Sequence, residues 1–318
     1  MRCLNPRTVG FLADGKTISW SKNKYSKEYA PFQLPCSKCI ECRLEFARQW
    51  AIRCVHEAQM HPQNCFITLT YDDKHLESSK LIYKDFQDFM KRLRFHNPHL
   101  KIGVFVTGEY GEDKKRPHWH AILFNYSPSD MEYHYTNENG DKIFKSKELD
   151  KYWGKNDPEK SPSNIGEVTM KSAGYCARYA AKKLVHGKDQ EHDYHPISKR
   201  SSKHAIGKKF LESYWKDIFN YGKVVLPDGT TASIPRYYQK WLQKNQPAAW
   251  ERYITQTKKE QCVNAQHKSE KEKNELKRTQ EERLERGNLL RSTSLQDHRR
   301  TIINERFKRL QNYLKGDI

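Results

Sequence analysis

The chain has little that is apolar: aliphatic, aromatic and cysteine residues together make up 36% of it, and mean hydropathy is −1.00. No run of 18 apolar residues occurs and no apolar stretch lies near the N-terminus, so neither a membrane span nor a secretory leader is expected. The G-x-x-x-x-G-K-[ST] loop that cradles nucleotide phosphates is also missing, as is any helicase motif, so no ATP-driven step is expected of this chain. Past Thr255 the apolar positions are too sparse to sustain heptads, which argues against a coiled coil.

What is present is charge. The 318 residues (37.8 kDa) carry a net charge of +19 with a sequence pI near 9.4, enough chain for one large domain or two modest ones. Lys and Arg are spread along the whole length, and 12% aromatic residues supply faces on which unpaired bases can stack. That combination points to single-stranded nucleic acid as a partner.

There are eight cysteines. Cys36-x-x-Cys39-x-x-Cys42 is too tightly spaced for a disulfide framework, and a reducing cytoplasm is the expected setting. Three thiolates this close can wrap one soft cation, and zinc needs a fourth ligand. Cys3, Cys54 and His56 are available, with Cys3 the easiest to bring there because Cys54 sits along the helix that begins near Glu41.

The stretch Arg116-Pro117-His118-Trp119-His120-Ala121-Ile122-Leu123-Phe124 reads as a strand, entered at a proline and ended by Asn125-Tyr126-Ser127-Pro128. Side chains alternate along a strand, so His118 and His120 leave the same face. Residues 102–107 form a preceding strand, and the turn 108–115 returns the chain as a hairpin, bringing Glu109 beside the two histidines. A carboxylate and two imidazoles make a three-ligand site suited to Mg²⁺, Mn²⁺ or Zn²⁺.

Around this hairpin the periodicity predicts a helix over 41–60, a strand over 65–71, an amphipathic helix over 83–96 and, after the hairpin, a polar insertion over 127–164 lying over the sheet with a short helix near 146–153. A short strand at 165–170 leads into a helix over 171–185. There Tyr175 and Tyr179 stand one turn apart on one face, with Lys182 and Lys183 continuing that side. A loop covers 186–204, a helix 208–221, a hairpin turns at Pro227-Asp228-Gly229, and another helix opens at Pro235. Interspersed Glu and Lys/Arg past Thr255 predict exposed helices, with Ile302 to Leu314 amphipathic enough to dock back. The expected architecture is therefore α+β, with a ferredoxin-like, split β-α-β arrangement about a central antiparallel sheet and a helical C-terminal extension. Its parts are a cysteine-containing segment and helix (1–64), a nuclease-like domain (65–254) and a charged tail (255–318).

With His118-x-His120 on a strand and Tyr175-x-x-x-Tyr179 on a later helix, the chain resembles the HUH endonucleases, in particular the replication initiators of microviruses of the gokushovirus kind. The blocks that carry the resemblance are Phe66-Ile67-Thr68-Leu69-Thr70-Tyr71, Gly108-Glu109-Tyr110-Gly111 with the His-x-His strand, Tyr175-Cys176-Ala177-Arg178-Tyr179 with Lys182-Lys183, and the segment from Pro35 to Arg43. They span about residues 35–185. The resemblance implies a rolling-circle initiator that binds Mg²⁺ or Mn²⁺ through Glu109, His118 and His120. It also implies attack by Tyr175 or Tyr179 on a single-stranded DNA origin, leaving a 5′-phosphotyrosyl link and a free 3′-OH, with rejoining by the second tyrosine and help from Lys182 or Lys183. Host polymerase and helicase would be partners, and the cytoplasm of the bacterial host the location. Two other readings remain at this point: another HUH enzyme such as a plasmid initiator or transposase, and a non-catalytic, zinc-stabilised single-strand binding or packaging protein.

Overall fold

The computed structural model describes residues 3–71, 76, 78–111, 116–154, 163–182, 197–201, 205–287 and 293–315, the side chains of 179–182, 307 and 310–315 excepted. The chain opens with β1 (Arg7–Phe11), β2 (Ile18–Ser19) and β3 (Phe32–Leu34), a small antiparallel sheet in the order β2-β1-β3. Sequence periodicity suggests only irregular extended pieces here. Strands of two to five residues are too short for alternation to register, and Asp14 and Gly15 make the expected turn: the Asp14 carboxylate accepts the Lys16 and Thr17 N–H groups while Gly15 takes φ 61°.

The long helix α1 (Ile40–Ala58) follows. Next come β4 (Asn64–Thr70), α2 (Tyr83–His96), β5 (Gly103–Tyr110) and β6 (Pro117–Phe124). After these the chain forms β7 (Glu132–Thr136), β8 (Lys142–Lys145), α3 (Lys147–Trp153), β9 (Ser163–Gly166), α4 (Met170–Lys182) and β10 (Ile197–Arg200). All seven strands from β4 to β10 join one sheet in the order β10-β5-β6-β4-β9-β8-β7, and every pairing is antiparallel. Because β6 lies between β4 and β5 and opposes both, β4 and β5 run the same way, and α2 makes the crossover between them.

Two apolar faces sandwich this sheet. Cys65, Ile67 and Leu69 of β4 and Trp119, Ala121 and Leu123 of β6 point to the side covered by α2 and α3, where Phe86, Phe89, Met90, Leu93, Leu149 and Trp153 are buried. Phe105, Ile122 and Phe124 point to the other side, against Ala47, Trp50, Ala51 and Val55 of α1 and Ala173, Cys176 and Ala177 of α4. Alanines on facing helices let α1 and α4 lie close together on the sheet, as the small residues of the 171–185 region predict.

The insertion differs from its expected position over the sheet. Its β7 and β8 extend the sheet edge, with Phe144 of β8 opposite Ile165 of β9, while α3 buries Leu149 and Trp153 beneath. The start of α4 is set by a reciprocal cap in which Ser172 N–H donates to Thr169 Oγ1 (3.1 Å) and Thr169 N–H to Ser172 Oγ (2.9 Å), so the strand before it stops at Gly166 rather than Met170.

A third core joins Ile52 of α1 to α5 (Lys208–Tyr221), the short hairpin β11 (Val224–Val225) and β12 (Thr231–Ala232), and α6 (Arg236–Asn245). Then come α7 (Pro247–Arg252), a π-helical turn over Tyr253–Lys258, and the extension α8 (Lys259–Glu285) and α9 (Leu295–Lys315). None of α8 is buried, and α9 docks through His298, which meets Thr279 Oγ1, and through an Arg283–Glu305 ion pair. Among the described residues no helix is long and apolar enough to cross a membrane.

Candidate metal centre and its surroundings

The register of the hairpin decides what faces what. Glu109 of β5 lies opposite His118 of β6, and Thr107 opposite His120, while Thr68 of β4 lies opposite His120 from the other side. Glu109, His118, His120, Thr107 and Thr68 therefore share the α1–α4 face of the sheet, toward one end of it. The strand β5 runs to Tyr110, past the Thr107 end expected for it, which places Glu109 within the ladder.

The opposite face holds that register. Trp119 is fully buried there, its Nε1–H donates to Tyr71 Oη (3.0 Å), and Tyr71 Oη donates to Asp85 Oδ2 (3.0 Å). Across from it sits Gly108, where a Cβ would lie 2.6 Å from the indole ring. The absent side chain makes the room that Trp119 fills.

Three groups then converge on one atom. Glu109 Oε1 is 2.9 Å from His118 Nε2, 2.9 Å from His120 Nε2 and 3.2 Å from the Tyr175 hydroxyl. Glu109 is only 4% exposed and His120 5%. Burial alone would raise the Glu109 carboxyl, but hydrogen bonds from His118 and His120 outweigh it and bring the group down to about 2. It is a carboxylate at any ordinary pH.

Each imidazole is oriented through its far nitrogen. His118 Nδ1 meets the Arg116 carbonyl at 3.2 Å, and a carbonyl only accepts, so Nδ1 carries the proton and Nε2 keeps its lone pair for a cation. His120 Nδ1 meets Thr68 Oγ1 at 2.9 Å. With Nε2 of both rings and a carboxylate oxygen within 4.8 Å of one another, the donor set fits a divalent cation, and backing of this kind is what ligating histidines ordinarily have.

The helix above is fixed to the same sheet. Thr107 Oγ1, fully buried, donates to the Cys176 carbonyl of α4 at 3.0 Å, and the adjacent Tyr175 ring stands edge-on to His120 with centroids 4.9 Å apart. Phe66 stacks on the other side of His120 at 5.8 Å. Thr68 and Thr107 were not singled out from the sequence, although strand alternation puts both on the histidine face. Tyr179 follows Tyr175 by one helical turn on α4. Its side chain, that of Lys182, and Lys183 lie outside the described residues.

A second cluster gathers Cys3, Cys36, Cys39 and Cys42, whose sulfur atoms also lie within 4.8 Å of one another. Backbone N–H groups point at the sulfurs: Leu4 to Cys39 (3.4 Å), Cys36 to Cys3 (3.2 Å) and Cys39 to Cys36 (3.3 Å). Burial would raise the Cys36 thiol, but the N–H groups of Lys38 and Cys39 bring it to about 6. Cys54 is fully buried between α1 and α4, and His56 is bound to Tyr238 Oη at 3.0 Å, so the fourth position falls to Cys3. Two candidate metal clusters are thus present.

A His-x-His strand in an antiparallel sheet, with an acidic partner on the neighbouring strand and a tyrosine helix above, defines a protein of the HUH type. The family model for replication-associated proteins of the ORF2 kind matches residues 64–184, the span from β4 to just past α4. The chain is 44% identical over 325 aligned positions to the replication-associated protein VP4 of Bdellovibrio phage phiMH2K, covering 99% of this chain and 100% of that one. It is 29% identical to the replication-associated protein ORF2 of Spiroplasma virus 4 (77% and 81% covered) and 32% identical to the replication-associated protein ORF4 of Chlamydia phage 1 (67% and 54% covered). No solved structure matches. The chain belongs to the phage replication-associated (Rep) proteins of the HUH type, in the ORF2 family.

Proposed function

We propose that the protein starts rolling-circle replication of a single-stranded phage genome by cutting one strand at its origin and later rejoining the ends. The observation that carries this reading is the convergence on Glu109 Oε1 of two histidine nitrogens and a tyrosine hydroxyl, because it sets a nucleophile beside a cation-binding donor set. The replication-associated names of the phage relatives supply the DNA context.

Glu109, His118 and His120 hold the cation, which we take to be Mg²⁺ or Mn²⁺ from the hard carboxylate and the exchangeable positions such a set leaves. When bound, it supplies Lewis-acid polarisation of the scissile phosphate. The phenol oxygen of Tyr175 attacks phosphorus in line, the P–O3′ bond breaks, and the phenolic proton ends on the departing 3′ oxygen. A 5′-phosphotyrosyl link and a 3′-OH primer for host polymerase result. Tyr179, one turn on, makes the second cut after a round of synthesis, and the new 3′-OH displaces the first tyrosine to close a circle. The adduct conserves the phosphodiester bond, consistent with the missing P-loop. Lys182 and Lys183 neutralise the phosphate, and unwinding falls to a host helicase.

The β4-α2-β5 crossover with β6 between its strands is, in this reading, the split half of a ferredoxin-like core. The other half is rearranged, since β9 joins β4 before α4 and β10 returns to β5 on the far side. At the cysteine cluster we assign structural zinc, since four thiolates with amide backing match its tetrahedral preference.

The test mixes the protein with a circular origin-bearing strand and Mn²⁺ and looks for a covalent adduct on a denaturing gel. Loss of the adduct on chelation and in the Tyr175→Phe, Tyr179→Phe double variant is the expected result. Tight binding with no adduct would instead establish a non-catalytic binding protein.

A further inference from the structure

On the same sheet face as the metal donors, a second arrangement of charge lies toward the β10 edge. Arg53 of α1 stacks between two aromatic rings, its Cζ 4.1 Å from the centroid of Trp50 and 4.1 Å from that of Tyr237 on α6. Arg200 of β10 stacks on Trp50 as well, at 4.4 Å. The order is Tyr237, Arg53, Trp50, Arg200, an alternation of phenol, guanidinium, indole and guanidinium. Trp50 is in turn braced on Phe105 of the sheet at 5.5 Å.

This ladder lacks what stabilises buried cations elsewhere. Arg53 is only 9% exposed, yet its one hydrogen bond among the described residues is from Nε to the Ile206 carbonyl (2.9 Å). Glu57, a turn further along α1, is turned away to the Gly207 N–H (2.6 Å) and His61 (3.1 Å). Arg200 is exposed and makes no ion pair among the described residues. Two like charges held on one ring repel each other, so the arrangement is incomplete without an anion. Stacking leaves the outer edges of each guanidinium fork free in a fixed plane, the geometry that grips phosphate oxygens in pairs.

Position selects among anions. Arg200 lies opposite Phe105, which is four residues before Glu109 on β5 and on the same face. At about 3.4 Å per strand residue that separation is on the order of 14 Å, a few nucleotides of extended strand. We propose that Arg53 and Arg200, held by Trp50 and Tyr237, form a phosphate-binding subsite for the single strand flanking the cut, fixing its backbone a few nucleotides from the reacting phosphate. The ligand follows from the reading of the chain as a DNA-nicking enzyme; the subsite itself follows from the stack.

The experiment measures binding of the full-length protein to a labelled origin-bearing single strand by fluorescence anisotropy, in chelator so that nothing is cut, across roughly 50 to 200 mM salt. Each lost phosphate contact reduces the slope of log affinity against log salt by about 0.7 for a single strand. For Arg200→Gln the affinity lost over that fourfold salt range should therefore be about 2.6-fold smaller than for wild type, and binding at low salt weaker. Arg200→Lys should keep the slope while binding more weakly than wild type. Arg53→Lys, with a thermal melt to establish folding, should likewise weaken binding without changing the slope. Slopes and affinities of Arg200→Gln equal to wild type would overturn the subsite. A weakened Arg200→Gln in a protein that never forms a metal-dependent adduct would leave the subsite standing and remove the nicking reading instead.

Discussion

Replacing Thr68 by Val tests whether the far side of His120 matters to the metal centre. Valine matches threonine in shape and favours a strand at least as well, so β4 should keep its pairing. What is lost is the 2.9 Å contact between Thr68 Oγ1 and His120 Nδ1, on a ring that is only 5% exposed. A buried polar nitrogen left without a partner costs about 1–3 kcal/mol, and removing the group that orients a ligating imidazole typically lowers metal affinity about 10–100-fold. Calorimetric titration with Mn²⁺ near neutral pH should show that drop, whereas Thr68→Ser, which keeps the hydroxyl, should bind within about threefold of wild type. A thermal melt of the metal-free proteins separates folding from binding: at about 2–4 °C per kcal/mol, Thr68→Val should melt a few degrees lower but still cooperatively. Unchanged Mn²⁺ affinity in a folded Thr68→Val protein would refute the idea that His120 is aligned from β4.

Gly108→Ala places a methyl 2.6 Å from the Trp119 ring, so the indole must move; a loss of about 1–3 kcal/mol is expected by denaturant unfolding, with Mn²⁺ binding weakened too because His118 and His120 flank that ring. His56 is held neutral by burial, its pKa lowered to about 4. Protonation of the unfolded chain near 6.5 then favours unfolding, so the contribution is intact above about pH 6.5 and falls by about 3 kcal/mol as pH drops toward 4, which a flatter stability-pH curve for His56→Gln would reveal. Metal analysis of purified protein should find one zinc per chain, and Cys39→Ser should lose it and make residues 3–36 quickly cut by protease, while protection unchanged by that substitution would argue against a structural role.

Much of this is readable in the sequence alone. The span of α2, 83–96, follows directly from Phe86, Phe89, Met90 and Leu93 at helical spacing, and that of α5 from Phe210, Ile218 and Phe219, because each helix has one strong apolar stripe and a clear stop in Asn97-Pro98 or Gly222. The His-x-His strand is legible for the same reason, alternation being a local property. The small β1–β3 sheet is not, since two- and three-residue strands carry no period. Nor is the place of the insertion, because whether Phe144 seeks the sheet edge or its face depends on Ile165, some twenty residues away. At the site, Glu109 could be named from its neighbourhood, but the Thr68 and Thr107 roles need three strands and a helix brought together, and the Arg53–Trp50–Arg200 stack needs separate segments of the chain to meet.

The back-to-back arrangement of Gly108 and Trp119 makes the centre all-or-none with respect to alignment errors. If β5 and β6 slipped by one residue, the indole would be forced toward the side of α4 and both imidazoles into the apolar layer beneath α2, so no half-formed version of the centre is available. A change in the length of the turn between Gly111 and Arg116 is therefore compatible with the centre only where the two strands still meet in phase. The single missing side chain at position 108 acts as the key: whatever the turn does, only one alignment offers the indole a lock.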